Sequence, residues 1–329
     1  MTFFVVLIFF NMKEIKIIKN RSDIGAGTRG SDMGIDAIEI AAINKKSSYF
    51  EEHEFEDVIT ENESIYNKVN NSFAKRIGNV FNQCKRLSNH VKVNLQEGKF
   101  PIVLSGDHSS ALGTISGVKA ANSTKRVGVI WIDAHGDLHS PYTSPSGNIH
   151  GMPLAAVIAD DNLDCQINDV DRETAEYWDR MKNIGVFGQK VNPEDVVFFG
   201  VRDTEEPENK QMEKHGIKNY QVAEVRFRGL ETCIDEALDK LSECDVLYVS
   251  FDVDAMDCDM ISYGTGTPVP RGFDDQEIKD MINRLLRSKK VACVEFVEVN
   301  PLLDFKGNKM AETAFEILED ITETIKELS

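Results

Sequence analysis

The sequence predicts an α/β fold with a mostly parallel sheet covered by helices on both faces. Six short apolar runs read as strands, and amphipathic stretches of helical period separate them. No repeat, low-complexity tract or proline-rich linker divides the 329 residues. Strands that alternate with helices build βαβ units, and the crossovers put helices on both faces of a parallel sheet.

The chain opens with MTFFVVLIFFN, residues 1–11. This run is apolar but shorter than the roughly 20 residues a helix needs to span a bilayer. It lacks a basic start and a small-residue cleavage site, so it is a poor signal peptide. We read residues 1–11 as an extension outside the fold and residues 12–329 as a single domain, with no membrane partner. KEIKII (13–18) then reads as the first strand. The charge run EEHEFEDVITENE (51–63) reads as a solvated face or loop. A helix is expected over 73–97, a strand at FPIVLS (100–105) and a helix over 109–121. RVGVIWID (126–133) and DVVFFGV (195–201) are further strands. A helix over 228–243 precedes the strand DVLYVSFD (245–252), and a helix over 274–288 precedes VACVEFVEV (291–299). The last helix, 308–328, places Ala311, Ala314, Phe315, Leu318, Ile321 and Ile325 at helical spacing. Residues 138–152 and 256–272 are long loops rich in Ser, Gly, Pro and Thr, a kind that carries function more often than not.

Lys and Arg number 37 against 55 Asp and Glu, a net charge of −18. Such a surface repels phosphate backbones, which argues against nucleic acid, and mildly attracts a cationic substrate. The six cysteines show no CxxC or zinc-finger spacing. Reduced thiols in a cytoplasmic protein are the expectation. Cys258 has no neighbouring base and reads as structural, and His53, His90 and His215 read as surface residues.

Polar residues of one kind gather just past three strands. WIDAHGD places Asp133, His135 and Asp137 at every second position. Alternate residues of an extended chain share a face, so these three converge if extended geometry persists. Alone, the motif also fits a polar turn capping a helix. SFDVDAMD repeats the alternation with Asp252 and Asp254, and SGDHSS adds His108 past a third strand. Ligands of open parallel sheets bind outside the carboxyl ends of the strands. Four packed carboxylates repel one another unless divalent cations intervene. Two imidazoles and four carboxylates without a thiolate suit Mn²⁺ first, then Fe²⁺, Co²⁺, Ni²⁺ or Zn²⁺. The donor count exceeds one tetrahedral ion and fits two ions roughly 3.5–4 Å apart.

SGDHSS, DAHGD, SFDVDAMD, GTGTPVP (264–270) and VEVNP (297–301) together resemble the motifs of the arginase, or ureohydrolase, family, in order, over nearly the whole chain. The resemblance implies a three-layer α/β/α sandwich around a mostly parallel sheet of about eight strands. It implies two Mn²⁺ ions, with His108, Asp133, Asp137 and Asp252 on one and Asp133, His135, Asp252 and Asp254 on the other. It implies hydrolysis of a small-molecule guanidino substrate, L-arginine to L-ornithine and urea, by a hydroxide bridging the ions. Asp137 would carry a proton to the leaving amine, His150 would shuttle protons, and Glu298 would hold the guanidinium with Thr267 close by. SPSGNIHGMP (144–153) resembles the arginase loop, where Ser146 and Asn148 would take the substrate carboxylate. RDTEEPE (202–208) resembles the segment that holds the α-amino group, with Glu205 the match, Glu206 the alternative and Glu208 behind them. His139 stands where the family usually carries Asn and can still meet a carboxylate or reshape specificity. After Asp257 the chain has CDMI where the family usually has Pro, which predicts an altered loop beneath the metals. The family also implies a homo-oligomer, a trimer or hexamer. The alternatives are another ureohydrolase (agmatinase, guanidinobutyrase or formimidoylglutamase), a deacetylase of the same broad fold, or a non-catalytic metal-binding protein.

Overall fold

The computed structural model describes residues 14–329, so the expected extension over residues 1–11 lies outside the described residues. The first half of the chain runs β1 (Ile15–Asn20), α1 (Gly34–Asn44), α2 (Tyr49–Glu52), β2 (Glu54–Asp57), α3 (Ile77–Gln96), β3 (Phe100–Ser105), α4 (Ala111–Ala121), β4 (Val127–Ile132) and α5 (Pro153–Ile158). The second half runs α6 (Arg172–Met181), β5 (Val196–Phe199), α7 (Glu206–His215), β6 (Lys218–Tyr220), α8 (Val222–Arg228), α9 (Leu230–Lys240), β7 (Val246–Asp252), α10 (Asp275–Arg287), β8 (Val291–Val297) and α11 (Lys309–Leu328).

The strands form one sheet of eight in the order β2-β1-β3-β8-β7-β4-β5-β6. Every neighbouring pair is parallel. The central strands are buried on both faces. In β4, Val127, Val129 and Trp131 pack toward α3–α6, whereas Ile130 and Ile132 pack toward α1 and α8–α11. Two cores thus sandwich the sheet, and the architecture is the three-layer α/β/α arrangement. No helix among the described residues is long and apolar enough to cross a membrane.

All six strands read from apolar runs exist, with ends displaced by a residue or two. Four sequence expectations need correction. The run 51–63 is not wholly a loop, because β2 lies inside it. As an edge strand it pairs only with β1 and alternates no apolar face, so hydropathy does not mark it. The helix expected over 228–243 is the shorter α9, Leu230–Lys240, because Gly229 at φ +93° separates it from α8. The helix expected from residue 73 starts only at Ile77, after Arg76 in the left-handed region. His53 is not a surface residue: it is buried, stacks on Tyr49, and its Nδ1 lies 2.8 Å from the Tyr49 carbonyl. His90 and His215 are part-exposed and face Glu56 and Asp160. None of the six cysteines is in a disulfide.

Candidate metal centre

Because all the strands are parallel, their carboxyl ends share one edge of the sheet. The local order β3-β8-β7-β4 brings together the segments that follow those four strands. The route differs from a continued strand. β4 stops at Ile132 and the chain bends at once, with Asp133 Oδ1 accepting the His135 N–H at 2.6 Å. Asp137 follows in the left-handed region at φ +49°. The same turn recurs after β7, where Asp252 Oδ1 accepts the Asp254 N–H at 2.8 Å. In each turn the first aspartate uses one oxygen to shape the backbone and leaves the other facing inward. Polar turn and converging side chains are therefore one device.

His108 Nδ1 lies 3.0 Å from Asp133 Oδ2, 3.3 Å from Asp137 Oδ2 and 3.2 Å from Asp252 Oδ2. His135 Nδ1 lies 3.0 Å from Asp254 Oδ2 and 3.5 Å from Asp133 Oδ1. Two candidate ion-binding groups result, His108–Asp133–Asp137 and Asp133–His135–Asp254, with Asp133 common to both. One ring nitrogen carries at most one proton and cannot serve three carboxylates. His108 Nδ1 and Asp133 Oδ2 are buried without a hydrogen-bond partner. Orphaned buried polar atoms are rare and costly, and a cation between them removes the cost. All six predicted ligands meet here, and their chemistry fits divalent transition ions.

The electrostatics agree. Burial pushes Asp137 up to about 7, and Asp133 adds to the rise. Burial also raises Asp254 and lifts Asp252 well above the carboxylate range, aided by neighbouring aspartates. Asp133 goes the other way: burial opposes its charge, but His108 and His135 hold it below the usual range. Without a cation, the cluster can be charged only in part.

A cleft of about 220 Å³ opens over these residues. His139, Ser146, Glu205, Glu208 and Thr267 line it, as do His150 and Glu298. Asn148 does not: Gly27 leaves space for its amide, and its Oδ1 accepts from Lys75 Nζ at 3.0 Å. Glu206 is absent too and pairs with Lys210 at 2.8 Å, so of the adjacent glutamates Glu205 faces the cleft. Glu298 Oε1 accepts the His108 N–H at 2.9 Å and lies 3.3 Å from His150 Nδ1. Burial opposes a charge on His150, but Glu298 overcomes it and lifts the imidazole to about 9. Thr267 Oγ1 donates to Asp254 Oδ2 at 3.1 Å. Glu208 accepts the N–H groups of Glu205 at 3.0 Å and Leu138 at 3.2 Å, tying α7 to the loop after β4.

His139 has two partners. Its Nδ1 lies 3.1 Å from Thr143 Oγ1 and its Nε2 3.2 Å from Glu205 Oε2. Thr143 Oγ1 accepts the Ser140 N–H at 3.0 Å and lies 3.5 Å from the Ser140 carbonyl, which fixes its place beside Nδ1. The other nitrogen, Nε2, faces the Glu205 carboxylate and the cleft. After Asp257 the chain closes a tight turn, with Ile261 N–H bonded to the Asp257 carbonyl at 2.8 Å.

Three functional neighbours escaped sequence reasoning. Asp203 Oδ2 lies 3.9 Å from His135 Nε2 and lines the cleft. Arg202 donates to the carbonyls of Asp254 at 2.9 Å and Val269 at 2.8 Å, fixing the turn after β7. Ser250 Oγ lies 2.8 Å from His108 Nε2. Ser250 stands two residues before Asp252 on one strand face, a spacing that was available in the sequence.

A parallel α/β/α sheet whose strand tips hold six carboxylates and imidazoles defines a metal-dependent hydrolase. The sequence signature of the arginase family matches residues 13–323. An arginase of Bacillus subtilis is 36% identical over 311 residues, spanning 94% of this chain and 97% of that protein. The crystal structure of native Bacillus caldovelox arginase aligns with a TM-score of 0.79 at 35% identity, over 94% of this chain and 98% of that one. The Entamoeba histolytica arginase structure, solved with L-ornithine, aligns with a TM-score of 0.78 at 25% identity, over 93% and 99% of the two chains. The chain belongs to the arginase family.

Proposed function

We propose that this protein hydrolyses L-arginine to L-ornithine and urea, with two Mn²⁺ ions held by His108, Asp133, His135, Asp137, Asp252 and Asp254. The observation that carries this is the convergence of two groups of ion-ligating side chains on a shared Asp133, with His108 Nδ1 and Asp133 Oδ2 buried and unpartnered, beneath a cleft lined by His139 and Glu205. When bound, such ions supply a water acidic enough to act as a nucleophile near neutral pH.

The chain's own residues do the rest. Glu298, fixed by the His108 N–H, accepts from the guanidinium and sets its carbon above the centre. Asp137 would carry the proton released by the attacking water to the departing amine. His150, held protonated by Glu298, returns protons from solvent. His139 and Ser146 take the α-carboxylate and Glu205 takes the α-ammonium, so the amino-acid head displaces the 3.2 Å contact between His139 and Glu205. Asn148 would join them only by leaving Lys75. A cytoplasmic homo-oligomer, trimeric or hexameric, is part of the same proposal.

The test is urea release after Mn²⁺ loading across a panel of guanidino compounds, with metal content measured on the same sample. We expect about two ions per chain and turnover of L-arginine far above agmatine, which lacks the carboxylate. Faster turnover of agmatine, guanidinobutyrate or formimidoylglutamate would refute the specificity and leave the chemistry standing. An active sample free of transition metal would refute both.

A further inference from the structure

Behind His108, on the side away from the cleft, lies a buried carboxylate that the proposed reaction does not use. Glu295 is fully buried in β8. Its Oε1 accepts from Ser105 Oγ at 2.7 Å and lies 2.9 Å from Ser110 Oγ, whose proton it shares with the Asp107 carbonyl, and its Oε2 accepts from Tyr248 Oη at 2.6 Å. All its partners are hydroxyl groups, and no Lys or Arg meets it. A carboxylate is rarely buried without a cation unless it is tied into a network.

The network has one direction. Tyr248 has a single hydroxyl proton, and the short contact assigns it to Glu295. Tyr248 Oη is then an acceptor for Ser250 Oγ at 3.1 Å. Ser250, having given its proton to Tyr248, accepts from His108 Nε2 at 2.8 Å. The relay therefore reads His108 Nε2–H to Ser250, Ser250 to Tyr248, Tyr248 to Glu295. Strand register builds it. Tyr248 and Ser250 stand two apart on β7 and share a face, and Ser250 pairs with Glu295 across β7 and β8. Trp131 stacks on the His108 ring at 4.0 Å and limits its tilt.

We propose that Glu295 and Tyr248 are positioning residues for His108. Together they keep the hydrogen on Nε2 and leave the Nδ1 lone pair aimed at Asp133, Asp137 and Asp252. A histidine ligand is commonly oriented by an acceptor on its other nitrogen, and losing that acceptor typically costs about 10–100-fold in metal affinity. Here the final acceptor lies two hydroxyl groups away. His135 has no such relay, since its Nε2 faces exposed Asp203. The effect is thus confined to one of the two ions. The inference rests on the two-ion centre proposed above.

Tyr248→Phe removes the relay hydroxyl and keeps the ring, and Ser250→Ala cuts the relay beside His108. Full-length protein is loaded with Mn²⁺ and dialysed against graded chelator. Metal stoichiometry and electron paramagnetic resonance are read on each sample. We expect wild type to retain two spin-coupled ions. Each variant should release one ion at about 10–100-fold higher free Mn²⁺ and leave a mononuclear spectrum. The double variant should lose no more than either single one, because both cut the same chain. Parallel loss of both ions, additive losses, or unchanged retention would overturn the proposal. Wild-type protein that takes up no Mn²⁺ would overturn the two-ion centre itself, and this inference with it. If Tyr248→Phe does not fold, Ser250→Ala and Glu295→Gln carry the comparison with the same expectations.

Discussion

At the scale of single residues, His139 lines the cleft and offers a test of the proposed substrate contacts. Thr143 lies against Nδ1 and leaves Nε2 turned to Glu205 and the cleft. His139→Ala should raise KM for L-arginine about tenfold, matching the loss of one hydrogen bond to a charged group, with kcat nearly unchanged. A fall in kcat at constant KM would place His139 in the chemistry instead. His150 supplies a pH signature. The imidazole titrates near 9 in the folded protein, above its ordinary 6.5, because Glu298, Asp137 and Asp107 outweigh burial. Folding thus tightens its hold on a proton. The resulting stabilisation is complete below pH 6.5 and lost as pH rises through about 9. In metal-free protein, the stability gap between wild type and His150→Asn should be wide near pH 6 and close above pH 9, measured by urea unfolding. A gap that widens with pH would show that His150 is folded in its neutral form. The six side chains that converge at the strand tips were legible because His and Asp recur there at alternate positions. Asn148 was misplaced because its loop motif does not reveal which way an amide turns, and Lys75 lies far off in sequence.

Between residues and fold stands the element, and α7 shows how one is anchored. Its third residue, Glu208, is buried and accepts two backbone N–H groups, from Glu205 and Leu138. Glu208→Ala leaves both donors without their acceptor. The expected cost is about 1–3 kcal/mol of unfolding free energy, together with a rise in KM because Glu205 loses its fixed entry into the helix. Denaturant unfolding and kinetics on one preparation check this; lost stability with unaltered KM would separate the cap from substrate binding. The central strands were readable from sequence because burial on both faces demands continuous apolar runs, as in VGVIWI of β4. β2 and β6 were not. Each is an edge strand of four residues or fewer with a half-exposed pattern, and only pairing with a neighbour defines it. The turns after β4 and β7 were also hidden. D-x-H and D-x-D fit an extended chain as well as a bend closed by the first aspartate, and tertiary packing of Arg202 and Thr267 selects the bend.

The whole molecule folds around a charge conflict that it cannot relieve by itself. Parallel topology forces the tips of β3, β4 and β7 together, and burial raises Asp137, Asp252 and Asp254 above their ordinary range. These groups bind protons more tightly folded than unfolded. In metal-free protein their contribution is fully present below pH 3.8 and lost as pH rises through the folded values, about 7 for Asp137. Divalent ions compete with those same protons, so ion affinity must rise over that window, and stability gained from binding must rise with it. The metal-free melting temperature should therefore fall between about pH 5.5 and pH 8, whereas the increase on adding Mn²⁺ should grow. The acidic surface, with a net charge of −18, pushes the metal-free value the same way. Salt separates the two, because about 1 M salt shortens screening to roughly 3 Å and silences exposed charges far more than buried ones. Calorimetry at low and high salt should show the pH trend persisting and the Mn²⁺ increment nearly unchanged. If high salt abolishes the trend, surface repulsion governs the stability of the chain, and the strand tips are not where protons and cations compete.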